Sequence, residues 1–447
     1  MTNEKYGLIG KTLVHSYSKE IHEALGRYQY QLFSLAEDEM PDFINARDFR
    51  GLNVTIPYKK DVIPLCDEVT DLARGIGAVN TLFWKNASGT GSSESISQED
   101  RILVGHNTDY EGFLYAASRA GIDFEGKGVL ILGTGGTSLM ARRAAADQNA
   151  AKIYIASRHP ETDPPSGSEI QDAGILSTVS YDQLPEIAAS IDVIVNTTPV
   201  GTFPNNMQQV IRLKDFPGCQ AVIDVIYNPF KTALLLEAEK LGLKYTNGLP
   251  MLVAQATAAA GYFLGTPGAF QKENQRIIKS MQQQMGNIVL IGMPGTGKSI
   301  IGKLLAELTG KTLQDTDAKI EEEAEMTIPE IFEKEGEAGF RDRESAICKK
   351  LGKERNLIIA TGGGAILRPE NVAALRQNGT LVHITRSIDK LPTRGRPLSK
   401  NIEALKKMEA QRMPLYKSAA DITFRNNYTC SRKKLRQRVN TYILEKL

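Results

Sequence analysis

Short apolar runs recur along the whole chain, and between them lie longer stretches with apolar residues at helical spacing. Several runs end in Gly-rich turns, as when a buried parallel strand feeds a loop and then a helix, so the predicted fold class is α/β. Two runs stand out. Gly128–Leu132 enters Gly133-Thr134-Gly135-Gly136 and a helical run over 139–147, and Asn287–Ile291 enters a second Gly-rich turn over 292–299 and a helical run over 300–308. Between them, 271–286 carries Ile277, Ile278 and Met281 at helical spacing among Gln and charged residues. That pattern predicts a terminal helix, a very short connection and a boundary near Met285. The Ser-, Gly- and Glu-rich segment 86–100 reads as an exposed hairpin extension between two apolar strands. The sequences after the two Gly-rich turns do not match, so no internal repeat is read. In the last helix, over 431–447, Leu435, Val439 and Ile443 share a face while Arg432, Lys433, Arg436 and Arg438 fall elsewhere, a solvated basic face rather than a nucleic-acid patch.

Composition narrows the classes. The chain has 447 residues, long enough for several domains. Its 54 Lys and Arg balance 52 Asp and Glu to a net +2, so no global field favours nucleic acid or an anionic membrane, and the expected partners are small molecules. At 41% hydrophobic and 24% charged residues, whole-chain disorder is excluded. The four cysteines, 66, 219, 348 and 430, show no C-x-x-C spacing, which predicts neither a zinc site nor a disulfide framework and points to a reducing cytoplasm. Neither a signal peptide nor a membrane-spanning apolar run is read.

Chemistry concentrates after the two Gly-rich turns. Gly292-Met293-Pro294-Gly295-Thr296-Gly297-Lys298-Ser299 fits G-x-x-x-x-G-K-[ST] at every fixed position, after a strand and before a helix. Backbone N–H groups freed by Gly292, Gly295 and Gly297 cradle phosphates together with Thr296, Lys298 neutralises charge on a transferred group, and the Ser299 hydroxyl suits Mg²⁺. Asp315-Thr316-Asp317 offers one carboxylate for the metal's water shell and one to accept a proton, a solvated turn being the alternative. Thr361-Gly362-Gly363-Gly364 follows the strand Leu357–Ala360. Phe340-Arg341-Asp342-Arg343-Glu344, Arg394-Gly395-Arg396-Pro397-Leu398 and Arg412-Met413-Pro414-Leu415-Tyr416 supply arginines suited to carboxylate or phosphate.

In this order these motifs resemble shikimate kinase over 287–424. The resemblance implies a P-loop fold of the nucleoside-monophosphate-kinase type, with a parallel sheet, moving the γ-phosphoryl of MgATP to the 3-hydroxyl of shikimate. It implies that Asp317, Arg341, Gly363 and Arg412 hold shikimate, Ser299 and Asp315 the metal, and Arg396 the phosphates from a lid. Which arginine stacks on adenine stays open, with Arg394 one choice.

In the first half, Gly133-Thr134-Gly135-Gly136-Thr137-Ser138 matches the dinucleotide fingerprint with Ser in the last place, and the strand over 152–156 ends at Ser157-Arg158. An Arg where an acid would hold a ribose hydroxyl favours a 2′-phosphate, hence NADP over NAD. Before these lie His15-Ser16-Tyr17-Ser18, Asn53-Val54-Thr55-Ile56-Pro57-Tyr58-Lys59, Gly77-Ala78-Val79-Asn80-Thr81 and His106-Asn107-Thr108-Asp109, each by itself readable as caps and turns. The five His are not paired at metal-ligand spacing.

Together with Asn196-Thr197-Thr198-Pro199-Val200-Gly201, Asp224-Val225-Ile226-Tyr227 and the run from Gly248 to Gln255, these segments resemble shikimate dehydrogenase over 6–284. The resemblance implies Lys59 and Asp109 at the reacting oxygen, with Ser16, Ser18 and Tyr227 on the substrate carboxylate. Thr55, Asn80 and Gln255 would surround the ring hydroxyls. It further implies NADP(H) on Gly133, Gly135, Gly136, Ser157, Arg158 and Gly248. The implied organisation is a dehydrogenase-like unit over 1–285 and a kinase-like unit over 286–447. In the first, a substrate lobe over 1–108 and 255–284 flanks a Rossmann lobe over 109–254. Lys19, Glu23, Thr202 and the 86–100 segment depart from the family pattern. The expected function is a bifunctional enzyme making shikimate and then phosphorylating it. The rivals are an NAD-dependent quinate or shikimate oxidoreductase fused to a kinase, and a non-catalytic metabolite sensor.

Overall fold

The structure, a computed structural model, describes residues 5–13, 16–86, 101–162, 173–391, 402–427 and 431–447. The chain divides into two compact units, one of residues 1–200, 208–230 and 234–279, the other of 201–207, 231–233 and 280–447.

The first unit holds two six-stranded sheets. In one the order is Tyr30–Ser34, Tyr6–Gly10, Gly51–Val54, Thr81–Asn86, Arg101–His106, Glu68–Val69. Thr81–Asn86 runs antiparallel to both its neighbours, and its pairing with Arg101–His106 ends at Asn86 opposite Arg101. Of the hairpin extension expected over 86–100, residues 87–100 lie outside the described residues.

The other sheet is all parallel, in the order Lys244–Thr246, Ala221–Asp224, Val193–Asn196, Gly128–Leu132, Lys152–Ser157, Leu176–Ser180. Its central strands are apolar throughout because both faces are covered. Along Gly128–Leu132, Val129 and Ile131 enter one core cluster and Leu130 and Leu132 the opposite one, the period-two signature of a strand between helical layers. The strand order reverses between Gly128–Leu132 and Val193–Asn196, the place where open α/β sheets leave a crevice at their carboxyl ends.

The second unit carries a five-stranded parallel sheet, Thr312–Asp315, Leu357–Ala360, Asn287–Ile291, Gly379–Thr385, Ile422–Arg425. The same alternation recurs there, with Val289 and Ile291 on one face and Ile288 and Leu290 on the other. The helix Ile328–Lys353 opens with a capping box of Thr327 and Glu330 and bends at Gly336, whose φ of 70° is left-handed. The last helix is shorter than its apolar stripe suggests. It spans Arg432–Tyr442 and tightens to a 3₁₀ turn, leaving Val439 and Ile443 buried and Leu435 packed beside them. Within this unit the buried Lys311 ammonium donates to the carbonyls of Gln284 and Gly286 at 2.9 and 2.8 Å and to Asn356 Oδ1 at 3.0 Å. Burial lowers its pKa to about 8. Among the described residues, no helix is long and apolar enough to cross a membrane.

Candidate active sites

A cavity of about 400 Å³ opens in the first unit. Ser16, Ser18, Thr55, Lys59, Asn80, Asp109, Tyr227, Gly248 and Gln255, all expected from the sequence, line it. They arrive from separate elements: Ser18 begins the helix Ser18–Glu23, Thr55 and Lys59 follow the strand Gly51–Val54, and Asp109 begins the helix Asp109–Arg119. Gln255 comes from the helix Gly248–Phe263, capped by Asn247. Lys59 Nζ donates to Asp109 Oδ2 at 2.6 Å, both side chains partly open to the cavity. A charge-assisted bond of this kind keeps a proton-bearing ammonium aimed and paired.

Around that pair sits an amide network. Asn80 Oδ1 accepts from the Thr108 N–H at 2.7 Å and from the Thr81 and Thr108 hydroxyls, fixing the amide's orientation, and Asn80 Nδ2 reaches Gln255 Oε1 at 3.5 Å. Asn53 lines the cavity without having been singled out from the sequence. It accepts from the Tyr30 hydroxyl at 2.7 Å and donates toward the Asn80 carbonyl. The available signal was the strand period: Asn53 lies two residues before Thr55.

Thr137, the second residue of the helix Gly136–Asp147, also reaches the cavity, which ties it to the Gly-rich turn. That helix starts earlier than its apolar run at 139 predicts. A Cβ built on Gly135 or Gly136 meets nothing within 4 Å, so the turn stands uncrowded at a helix N-terminus, where a dinucleotide's pyrophosphate fits. Gly133 N–H donates to the Ala156 carbonyl, placing the turn beside the end of Lys152–Ser157. There Ser157 is buried and Arg158 exposed. Arg158 lies near enough to Tyr181 for that phenol to feel its charge. Thr197 donates to the Leu132 carbonyl at 2.6 Å from the other side of the turn. Gly248 has a different reason for lacking a side chain, since a Cβ there would fall 1.9 Å from the Val225 carbonyl oxygen.

The second unit builds its site at the carboxyl end of Asn287–Ile291. Gly297 takes φ +95°, and a Cβ there would sit 2.6 Å from Asn426 Nδ2, which itself donates to the Thr296 carbonyl. Lys298 opens the helix Lys298–Thr309, and its ammonium donates to the Gly292 and Met293 carbonyls at 2.8 and 3.1 Å. Thr296 is buried and its hydroxyl donates to the Met293 carbonyl, bracing the turn from inside. Ser299 Oγ donates to Asp315 Oδ2 at 3.1 Å, so a hydroxyl and a carboxylate stand side by side at the head of the helix. This oxygen-only pair fits a hard cation that keeps most of its water and takes phosphate oxygens. Among the described residues no cluster of three or more His, Cys, Asp or Glu could hold a metal by itself. Arg394 and Arg396 lie outside the described residues.

Asp315 also caps the helix Thr316–Ala324, accepting from the Asp317 N–H at 3.1 Å, and this turns the Asp317 side chain toward the triple glycine. A Cβ on Gly362 would lie 2.6 Å from Asp317 Oδ1 and 2.8 Å from Glu344 Oε1; one on Gly364 would strike the Arg341 guanidinium. The glycines therefore admit two carboxylates and an arginine into one small space. Arg341 Nη1 donates to Glu344 Oε2 at 2.7 Å, and Arg412 Nη1 and the Tyr416 hydroxyl both donate to the Gly363 carbonyl, at 2.8 and 2.6 Å. Among the described residues, Asp317 Oδ1 and Glu344 Oε1 are buried without a hydrogen-bond partner. Burial, reinforced by Asp315 and Glu344, pushes the Asp317 carboxyl up to about 6. Burial likewise raises Glu344, against the pull of Arg341. No role was assigned to Glu344 or Tyr416 from the sequence, although Glu344 is three residues from Arg341, the spacing of one helix face.

These sites define a two-lobed dinucleotide oxidoreductase and a P-loop phosphotransferase on one chain. Family descriptions agree: residues 8–82 match the shikimate dehydrogenase substrate binding domain and residues 294–447 match shikimate kinase. The chain is 35% identical over 268 residues to a shikimate dehydrogenase (NADP(+)) of Caldicellulosiruptor bescii, covering 57% of this chain and 88% of the relative. It is 48% identical over 145 residues to a shikimate kinase of Nitrosomonas europaea, covering 31% of this chain and 69% of the relative. A solved chorismate mutase/shikimate 5-dehydrogenase fusion protein from Clostridium acetobutylicum superposes with a TM-score of 0.54 at 33% identity, covering 63% of this chain and 98% of that one. The chain belongs to both the shikimate dehydrogenase family and the shikimate kinase family.

Proposed function

We propose that the chain is a bifunctional enzyme in which the first unit reduces 3-dehydroshikimate to shikimate with NADPH and the second phosphorylates shikimate on its 3-hydroxyl with MgATP. The observation that carries the first half is the Lys59–Asp109 pair at 2.6 Å inside a cavity lined by hydroxyls and amides. Lys59 holds a proton at Nζ and delivers it to the substrate oxygen, while Asp109 orients the ammonium and stabilises its charge. Bound NADPH supplies the hydride. Ser16, Ser18 and Tyr227 take the substrate carboxylate, and Thr55, Asn80 and Gln255 take the ring hydroxyls. Arg158 at the end of its strand reads the 2′-phosphate. The Arg158→Ala variant is expected to raise the KM for NADPH by about tenfold or more, the scale of a lost charge-assisted contact, and to leave that for NADH nearly unchanged. Parallel steady-state assays with the two cofactors check this.

In the second unit, Arg341 and Arg412 grip the acceptor's carboxylate, Asp317 takes the proton from its hydroxyl, and Lys298 neutralises charge on the moving phosphoryl group. Ser299 and Asp315 would hold Mg²⁺. Asp317 must be ionised to accept a proton, and a carboxyl raised to about 6 is protonated below that pH. Phosphorylation is therefore expected to fall about tenfold per pH unit below pH 6 and to level off above it. A pH–rate profile of kcat/KM checks this, and Asp317→Asn should lose both the acid limb and most of the activity. The overall reading is tested with purified full-length chain, 3-dehydroshikimate, NADPH and MgATP, following NADPH oxidation and ADP formation separately. Shikimate-dependent ADP release must appear without added shikimate. Absence of NADPH oxidation overturns the first half, and absence of ADP formation even with shikimate supplied overturns the second.

A further inference from the structure

His383 belongs to neither set of motifs, and only 2% of its surface is exposed. It lies near the carboxyl end of the strand Gly379–Thr385, in register with Ile291, the residue immediately before the P-loop. Its ring stacks on Tyr416 with centroids 4.8 Å apart and planes 17° from parallel. Tyr416 is itself buried, and its hydroxyl donates to the Gly363 carbonyl that also receives Arg412. One face-to-face contact thus joins the strand beside the phosphate loop to the tyrosine that, with Arg412, pins the triple glycine.

We infer that His383 is a positioning residue for the acceptor pocket: by stacking on Tyr416 it holds the Gly363 carbonyl and the Arg412 guanidinium in the arrangement that receives the acceptor's carboxylate and hydroxyls. The inference rests on the kinase reading of this unit and adds to it a residue that does not touch the substrate. The ring acts in its neutral form, since burial lowers its pKa to about 4 and the nearby Lys298 and Lys417 add to that effect. A planar ring can hold a neighbouring phenol in one rotamer where an aliphatic side chain of similar size leaves it free to tilt, because offset stacking has a preferred geometry. Loss of the stack should therefore loosen the acceptor pocket while leaving Lys298 and the phosphate loop in place.

The test uses full-length chain with ADP formation as the readout and shikimate varied at saturating MgATP. His383→Ala is expected to raise the KM for shikimate about fivefold or more, with kcat within about twofold and the KM for ATP unchanged, the split that marks lost ground-state binding. His383→Phe restores the stack and should return the KM close to that of the parent. Should the alanine variant fail to fold, His383→Leu fills the volume without an aromatic face and is expected to show the same raised KM. Calorimetric titration of shikimate into parent and variants reads the affinity directly. An unchanged KM in the variants, an equal rise in the Phe variant, or a fall in kcat alone overturns the inference. If the parent forms no ADP with shikimate, the kinase reading fails instead, a result the parent control separates from the other.

Discussion

Lys298→Ala is expected to abolish phosphorylation, by about a thousandfold or more, and to leave NADPH oxidation within about twofold of the parent. The ammonium is held by the Gly292 and Met293 carbonyls at the head of its helix, inside the Gly-rich turn. Charge that develops on the phosphoryl oxygens is then stabilised by a cation fixed in advance. Alanine removes that charge together with the ammonium's bonds to the Gly292 and Met293 carbonyls, while the Thr296 and Asn426 bonds still brace the loop. Separate assays for ADP and for NADPH consumption on one preparation check the prediction. A parallel loss of both would mean that the two chemistries share a residue.

Lys59→Ala acts on the other chemistry. The expected result is a fall in dehydrogenase kcat of about 10² to 10⁴, the range for a positioned acid, with NADPH affinity nearly unchanged. The separation follows from placement: Lys59 follows a strand of the mixed sheet, whereas the Gly-rich turn at Gly133–Gly136, proposed to hold the dinucleotide, belongs to the parallel sheet. Asp109→Asn should be milder, because the ammonium survives with a neutral partner. Initial rates with NADPH, paired with fluorescence titration of the cofactor, distinguish a catalytic loss from a binding one. A kcat near the parent's would reduce Lys59 to a binding group.

How legible these sites were depended on whether the chemistry was carried by a local pattern. A buried parallel strand entering a Gly-rich turn and then a helix writes itself into consecutive residues, so Gly128–Leu132 and Asn287–Ile291 were plain, as were the phosphate-loop lysine and serine. Helix starts were read late at both turns because glycine and polar residues begin the helix before any apolar residue does. The residues that hold others in place were harder to see. Asn53 meets Tyr30, and His383 stacks on Tyr416, each across a long stretch of sequence. Pro414, a residue type that usually interrupts a helix, lies inside the helix Ile402–Ala419 that carries Arg412 and Tyr416 to the triple glycine. Periodicity has no means of reporting a side chain whose partner is brought there by the fold.

The anchoring of Lys311 bears on how this chain can change over generations. Two of its three acceptors are main-chain carbonyls, at residues 284 and 286, and every amino acid supplies one. Side chains at those two positions are free to drift so long as the backbone path persists, since the ammonium does not read them. Lys311 itself has no such freedom, because a shorter or neutral side chain takes one donor from three part-buried acceptors at once. Variation at this junction should thus be lopsided, permissive where residues 284 and 286 offer only their backbone and strict at one residue further along.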